Sequence, residues 1–190
     1  MTTGEEVSRV LSERPTKHAR ILAFGALLAR ESHSDVLIVG GSAIEVYTRG
    51  GYVSGDVDIV GEREKIVPVL ERWGFAKPSR LWIRDNWEIA VDIVGKHYTG
   101  ATNRLRTLST PYGPVRLAVP EDLLVKRLIE AKHWKQTKAL EDAALLYEAE
   151  RGAFDWEYAE EFAKREDVAD LLADFRERVS GASSDVAREA

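Results

Sequence analysis

Residues 36–60, VLIVGGSAIEVYTRGGYVSGDVDIV, constrain this chain more than any other stretch. The apolar run 36–39 reads as a short buried strand, ended at once by Gly40-Gly41-Ser42. Residues 43–49 read as a short helix, Gly50-Gly51 and Gly55 as turns, and 57–60 as a second strand in which acids and apolar residues alternate from Asp56 onward. A strand, a glycine turn and a helix leave free backbone N–H groups at a helix N-terminus, where an anion is favoured. Glycine permits close approach by a phosphate. The Ser42 hydroxyl can donate to such an anion or cap the helix.

The acids of the same stretch ask for the opposite charge. Residues two apart on a strand face the same way, so Asp56 and Asp58 point to one side and Val57 and Ile59 to the other. Two carboxylates on one face repel each other unless a cation joins them. Magnesium suits the position, because it takes oxygen ligands and commonly combines carboxylates with substrate phosphates. Two metals about 4 Å apart can stabilise both the attacking and the leaving oxygen of a displacement. Such a site calls for a third carboxylate from a neighbouring strand. Asp92, in Ala90-Val91-Asp92-Ile93-Val94, repeats the apolar–acid–apolar pattern. An ionised group among apolar neighbours wants a partner: the shared metal site, or a salt bridge to Arg84 across a hairpin.

Composition narrows the class. The chain has 190 residues, 44% hydrophobic and 31% charged, a profile of folded globular domains. No apolar run approaches the roughly 20 residues a membrane span needs, and the polar, acidic N-terminus does not read as a signal peptide. Zero cysteines exclude a disulfide framework, a thiol nucleophile and a thiolate zinc site. The expectation is a cytoplasmic protein without membrane contact. Net charge is −5, which argues against a uniformly basic nucleic-acid coat. The charge is uneven: residues 155–190 carry eleven acids and five bases, residues 96–138 nine bases and three acids. A basic middle beside acidic metal ligands can hold phosphates; an ordinary solvated surface would look the same.

The rest of the chain fills in an α+β fold. Residues 4–32 read as helical with a break at Pro15, and 62–73 as a helix containing Pro68. Residues 81–84 and 87–94 form a hairpin around Asp85-Asn86, and 104–109 and 115–119 two further strands. After Pro120, residues 121–133, 137–150, 156–165 and 167–179 show helical spacing, and 181–190 read as a frayed tail. The expected organisation is a mixed-sheet core with N-terminal helices over 1–119 and a helical region over 120–180 packed on it. His18, His33, His97 and His133 lack metal-ligand spacing, and the five tryptophans read as core or hydrophobic interface rather than base-stacking platforms.

Taken together, strand, Gly-Gly-Ser, short helix and apolar-Asp-apolar-Asp-apolar resemble the nucleotidyltransferase superfamily of the DNA polymerase β type. The chain also resembles a narrower branch, the small prokaryotic nucleotidyltransferases related to the AbiEii toxins of toxin–antitoxin systems. That second likeness rests on Pro120-Glu121-Asp122-Leu123-Leu124-Val125-Lys126-Arg127-Leu128, an acid–apolar–apolar–x–Lys helix pattern. The resemblance implies a nucleotidyltransferase core and transfer of a nucleoside monophosphate from an NTP to an acceptor hydroxyl. It assigns Gly40, Gly41, Ser42 and Lys126 to the nucleotide, and Asp56, Asp58 and Asp92 to catalysis and to two Mg2+ ions, with Mn2+ as the alternative. The acceptor stays open between a tRNA or other RNA end, a protein hydroxyl and a small molecule, and a partner protein is allowed for.

Two departures limit the toxin likeness. The branch's last motif has two bases, an acid directly after the second, and another acid three later. Lys135, Lys138 and Asp142 fit, but Ala139 stands where the first acid belongs. A base expected shortly before Asp-x-Asp is replaced by Tyr52, with Arg49 at a different spacing. Two competing readings remain. One is a non-catalytic antitoxin or scaffold that keeps the fold, against which stand the three retained acids. The other is a dinucleotide-binding domain, against which stand the incomplete G-x-G-x-x-G spacing and the paired acids just downstream.

Overall fold

The computed structural model describes residues 2–134 and 137–186. The chain divides into two compact units, Met1–Val119 and Pro120–Ala190.

The first unit opens with α1 (Gly4–Ser12) and α2 (Lys17–Ser32), separated at Pro15. Thr3 and Glu6 form a reciprocal capping box at the start of α1, satisfying two donors that the helix itself leaves unpaired. β1 (Leu37–Ile38) leads into α3 (Gly40–Tyr47), then β2 (Val57–Val60) and α4 (Arg63–Arg72), which continues through Pro68. β3 (Trp82–Arg84), β4 (Ile89–Gly95), β5 (Arg106–Thr110) and β6 (Gly113–Leu117) complete a six-stranded sheet of order β3-β4-β2-β1-β6-β5.

The sheet is mixed. β2 runs parallel to β4, and β1 parallel to β6; the pairs β1–β2, β3–β4 and β5–β6 are antiparallel. The expected hairpin is present as β3–β4. Trp87 belongs to a 3-10 turn between the strands rather than to β4, because Glu88 adopts a left-handed conformation (φ 53°) that delays the return strand. The helix after the glycines also starts earlier than expected, at Gly40 itself.

Burial explains why these elements hold. Ile21, Phe24, Leu27 and Leu28 of α2 and Ile66 and Leu70 of α4 are almost completely buried, as are the strand residues Ile38, Ile59, Val91 and Leu117. Phe24, Trp73, Phe75 and Trp87 pack edge-on or tilted, with centroids 5.5–6.3 Å apart. Such contacts add about 0.5–1.5 kcal/mol per pair beyond area burial. Trp73 also donates from Nε1 to the Thr2 carbonyl at 3.1 Å, which ties the N-terminus to the core.

The second unit holds α5 (Pro120–Trp134), α6 (Thr137–Glu150), α7 (Trp156–Arg165) and α8 (Ala169–Val186). Its two leading acids are structural. Asp122 is fully buried and accepts from the Tyr158 hydroxyl, and Glu121 accepts from the Asp155 amide at 2.8 Å. Asp155 in turn caps α7 by accepting from Tyr158 N–H. α8 continues to Val186, past residue 180 where the tail was expected to fray. No described helix is long and apolar enough to cross a membrane.

Candidate metal centre

The site grows from the short strand β1 and the helix that follows it. Gly40 has φ 57°, a left-handed conformation that glycine adopts without strain. A Cβ at Gly40 would lie 2.2 Å from Asp58 Oδ2. The glycine is therefore required twice, by the backbone turn and by the carboxylate lying directly against it. Gly41 is also crowded: a Cβ there would meet the Tyr52 hydroxyl at 2.9 Å and Ser54 Oγ at 3.0 Å.

Ser42 is fully buried. Its hydroxyl donates to the Val39 carbonyl at 2.9 Å and accepts from the Asp58 amide at 3.1 Å. Its single proton is thus engaged inside the protein. The hydroxyl stitches α3 to β2 and fixes the backbone that carries Asp58.

Asp58 lies on β2, Asp56 one residue before that strand, and Asp92 on the adjacent parallel strand β4, level with Asp58. Each supplies a carboxylate oxygen, and these oxygens lie within 4.8 Å of one another. Asp56 and Asp58 are partly exposed and Asp92 is buried. Hard oxygen donors converging at this spacing fit magnesium or manganese, which bind oxygen at about 2.0–2.1 Å and keep positions for water or phosphate. The same three oxygens leave too few ligands for a closed all-protein calcium cage.

The loop between α3 and β2 is held from behind by residues that sequence reasoning missed. Glu45, 1% exposed, accepts from the Ser54 amide at 2.8 Å and faces Lys17 Nζ at 3.6 Å. Lys17 also donates to the Ser54 carbonyl, and Ser54 Oγ donates to the Asp56 carbonyl at 2.7 Å. The available signal was a lone acid inside the apolar helix stretch Ala43-Ile44-Glu45-Val46-Tyr47. A charge is buried there only with a partner.

Arg80 is the second residue missed. It hydrogen-bonds Asp92 Oδ2 through Nη1, and its Nη2 lies 3.8 Å from Asp56 Oδ2. Arg84, the partner that hairpin reasoning offered for Asp92, instead donates to the Gly74 carbonyl at 2.9 Å and lies over the Trp87 ring. The reason is register: Arg84 pairs with Ile89, at the far end of the hairpin from Asp92.

In the second unit, Lys126 lies half-buried on α5. Ala139 is buried on α6, so the position lacking the toxin-type acid is an apolar one. Asp142, also buried, pairs with Lys138 at 3.1 Å and lies 3.9 Å from Arg127. Lys135 lies outside the described residues. His97 is exposed just beyond β4.

No protein-family model matches this chain, and no curated protein matches it. Solved structures do. The solution structure of the antibiotic-resistance factor ANT(2'')-Ia aligns with TM-score 0.52 and 16% identity, over 89% of this chain and 97% of that one. A crystal structure of ANT(2'')-Ia in complex with adenylyl-2''-tobramycin gives 0.49 and 19%, over 82% and 95%. An antigenic nucleotidyltransferase-like protein from Paracoccidioides brasiliensis gives 0.49 and 16%, over 90% and 94%. The likeness to ANT(2'')-Ia is one of fold: an α+β arrangement of a mixed sheet with flanking helices.

Proposed function

We propose that this protein transfers a nucleoside monophosphate from a nucleoside triphosphate to an acceptor hydroxyl, with divalent metal held by Asp56, Asp58 and Asp92. The observation that carries this reading is the convergence of the three carboxylates beside the glycine-opened start of α3. Bound magnesium or manganese would neutralise phosphate charge and acidify the acceptor hydroxyl.

The chain's own residues divide the remaining work. Gly40 and Gly41 add no side chains of their own to the start of α3, where backbone N–H groups favour phosphate oxygens. Ser42 acts by placing Asp58. Asp92 orients the acceptor hydroxyl and takes its proton as the acceptor oxygen bonds to the α-phosphorus. The bond from that phosphorus to the bridging oxygen breaks, and pyrophosphate leaves. Lys126 is the cation that the sequence resemblance assigns to the departing phosphates. Most of the acceleration in such chemistry is positioning and charge stabilisation.

The acceptor is an RNA end, a protein hydroxyl or a small hydroxylated molecule, and a toxin–antitoxin setting is one context for it. Labelled NTPs offered with total RNA, total protein and hydroxylated antibiotics test the reading directly. Label should move to one class, with Asp58→Ala inactive. No transfer to any class with any NTP, in magnesium or manganese, would sink the proposal. One observation favours the non-catalytic alternative: Arg80 already gives Asp56 and Asp92 a cation from within the chain.

A further inference from the structure

Arg80 and a metal ion would compete for the same carboxylates. Its guanidinium contacts Asp92 Oδ2 and approaches Asp56 Oδ2, two of the carboxylates that form the trio. The partners differ sharply in setting. The Asp92 side chain is 5% exposed, whereas that of Arg80 is 71% exposed. The acid is fixed in the sheet, and the base reaches in from solvent.

The placement of Arg80 suits a movable group. It lies in the turn between α4 and β3, outside any helix or strand. The base of that turn is pinned by two backbone hydrogen bonds between Ala76 and Ile83, at 2.9 and 2.7 Å. Lys77 at the same base lies over the Trp82 ring, 5.6 Å from its centroid. The turn is therefore anchored, while the long arginine side chain can leave the carboxylates without disturbing a strand. Arginine presents a fork of donors matched to carboxylate or phosphate oxygens, so it has a second class of partner once displaced.

We infer that Arg80 is a built-in counter-ion of the carboxylate trio, and that divalent metal binds only by displacing it. This rests on the metal reading proposed above. Its consequence is a tax on metal affinity: apparent affinity is reduced by the fraction of molecules in which Arg80 is already away. The latch also keeps Asp92, buried in the sheet, from standing as an uncompensated charge before metal arrives.

The test is direct metal binding, measured by Mn2+ titration calorimetry on the full chain, without any activity assay. Arg80→Ala should bind Mn2+ roughly three- to tenfold more tightly than wild type, the scale of an ion pair with one exposed partner. Arg80→Gln, which keeps the side-chain length but removes the charge, should show the same direction. Asp92→Asn, alone or with Arg80→Ala, should bind poorly and equally. Thermal unfolding gives a second readout: Mn2+ should raise the Tm of Arg80→Ala more than that of wild type. Equal or weaker Mn2+ affinity in both Arg80 variants overturns the latch and leaves the metal reading intact. Absence of Mn2+ binding in wild type and variants alike overturns the metal reading and the latch with it.

Discussion

Asp58 on β2 and Asp92 on β4 stand directly opposite each other in parallel register. Parallel pairing aligns the two apolar-acid-apolar segments step for step, so Val57 faces Val91 and Ile59 faces Ile93 while the acids meet between them. The apolar neighbours fix the register, because a slip of one residue would turn every side chain to the wrong face. The core thus holds together two like charges that would otherwise separate.

That pairing makes charge, not shape, the property the site depends on. Asp58→Asn and Asp92→Asn preserve volume and should each lower nucleotidyl transfer by about a thousandfold or more, the scale of losing one preorganised electrostatic group. Far-UV circular dichroism should stay unchanged. Chelation by EDTA should abolish transfer in wild type, and added magnesium or manganese should restore it. Wild-type rates persisting in EDTA would contradict the assignment.

Gly40→Ala places a methyl where the Asp58 carboxylate now lies, 2.2 Å away, on a backbone at φ 57°. The left-handed conformation alone costs about 1–2 kcal/mol for a residue with Cβ. The expected result is a folded protein of lower Tm whose Mn2+ affinity drops at least about tenfold, since the carboxylate must move. Calorimetry showing unchanged affinity would mean that Asp58 does not bind metal from this position.

Ser42→Ala removes the hydroxyl that bridges Val39 and Asp58, and with it the hydrogen bond that the partly buried Asp58 amide donates to it. The cost should be about 1–3 kcal/mol, read from urea unfolding. Transfer should fall mainly through kcat, because a misplaced Asp58 affects chemistry more than ground-state nucleotide binding.

Glu45→Ala should loosen the segment before Asp56 while leaving the sheet intact. Glu45 holds the Ser54 amide and, with Lys17, clamps that loop. Amide hydrogen exchange should accelerate across residues 50–56 and remain slow at Val57 to Val60. Exchange rising equally throughout the unit would show that Glu45 supports the core and not the loop.

Glu31 supplies a pH test of stability. Burial pushes its carboxyl up, but hydrogen bonds from the Thr2 hydroxyl and amide, with the nearby Arg30 charge, outweigh that and hold it below its ordinary value. A carboxylate with a lowered folded pKa stabilises above its unfolded pKa and loses that contribution as pH falls through the folded one. Glu31→Gln should therefore be less stable than wild type at pH 7, by about 1 kcal/mol after allowing for partial exposure. The gap should close as pH drops below about 4. A gap unchanged from pH 7 to pH 3 would assign the loss to packing.

Much of the candidate site could be read from the sequence because its parts are local. The strand–glycine–helix turn, the Asp-x-Asp alternation and the repeat of that pattern at Asp92 follow from periods of two and from glycine's backbone freedom, which act over a few residues. The succession of helices after Pro120 was legible for the same reason. Chain pairing is not local, and it decided the rest. The tertiary structure alone set the parallel β2–β4 register that brings Asp92 level with Asp58, because strand order depends on which apolar faces meet in the core. It alone turned the Ser42 hydroxyl inward, buried Glu45 against Lys17, and brought Arg80 rather than Arg84 to Asp92. Those are long-range contacts between polar groups, whose partners are chosen by geometry after the apolar framework closes and which leave no period in the sequence.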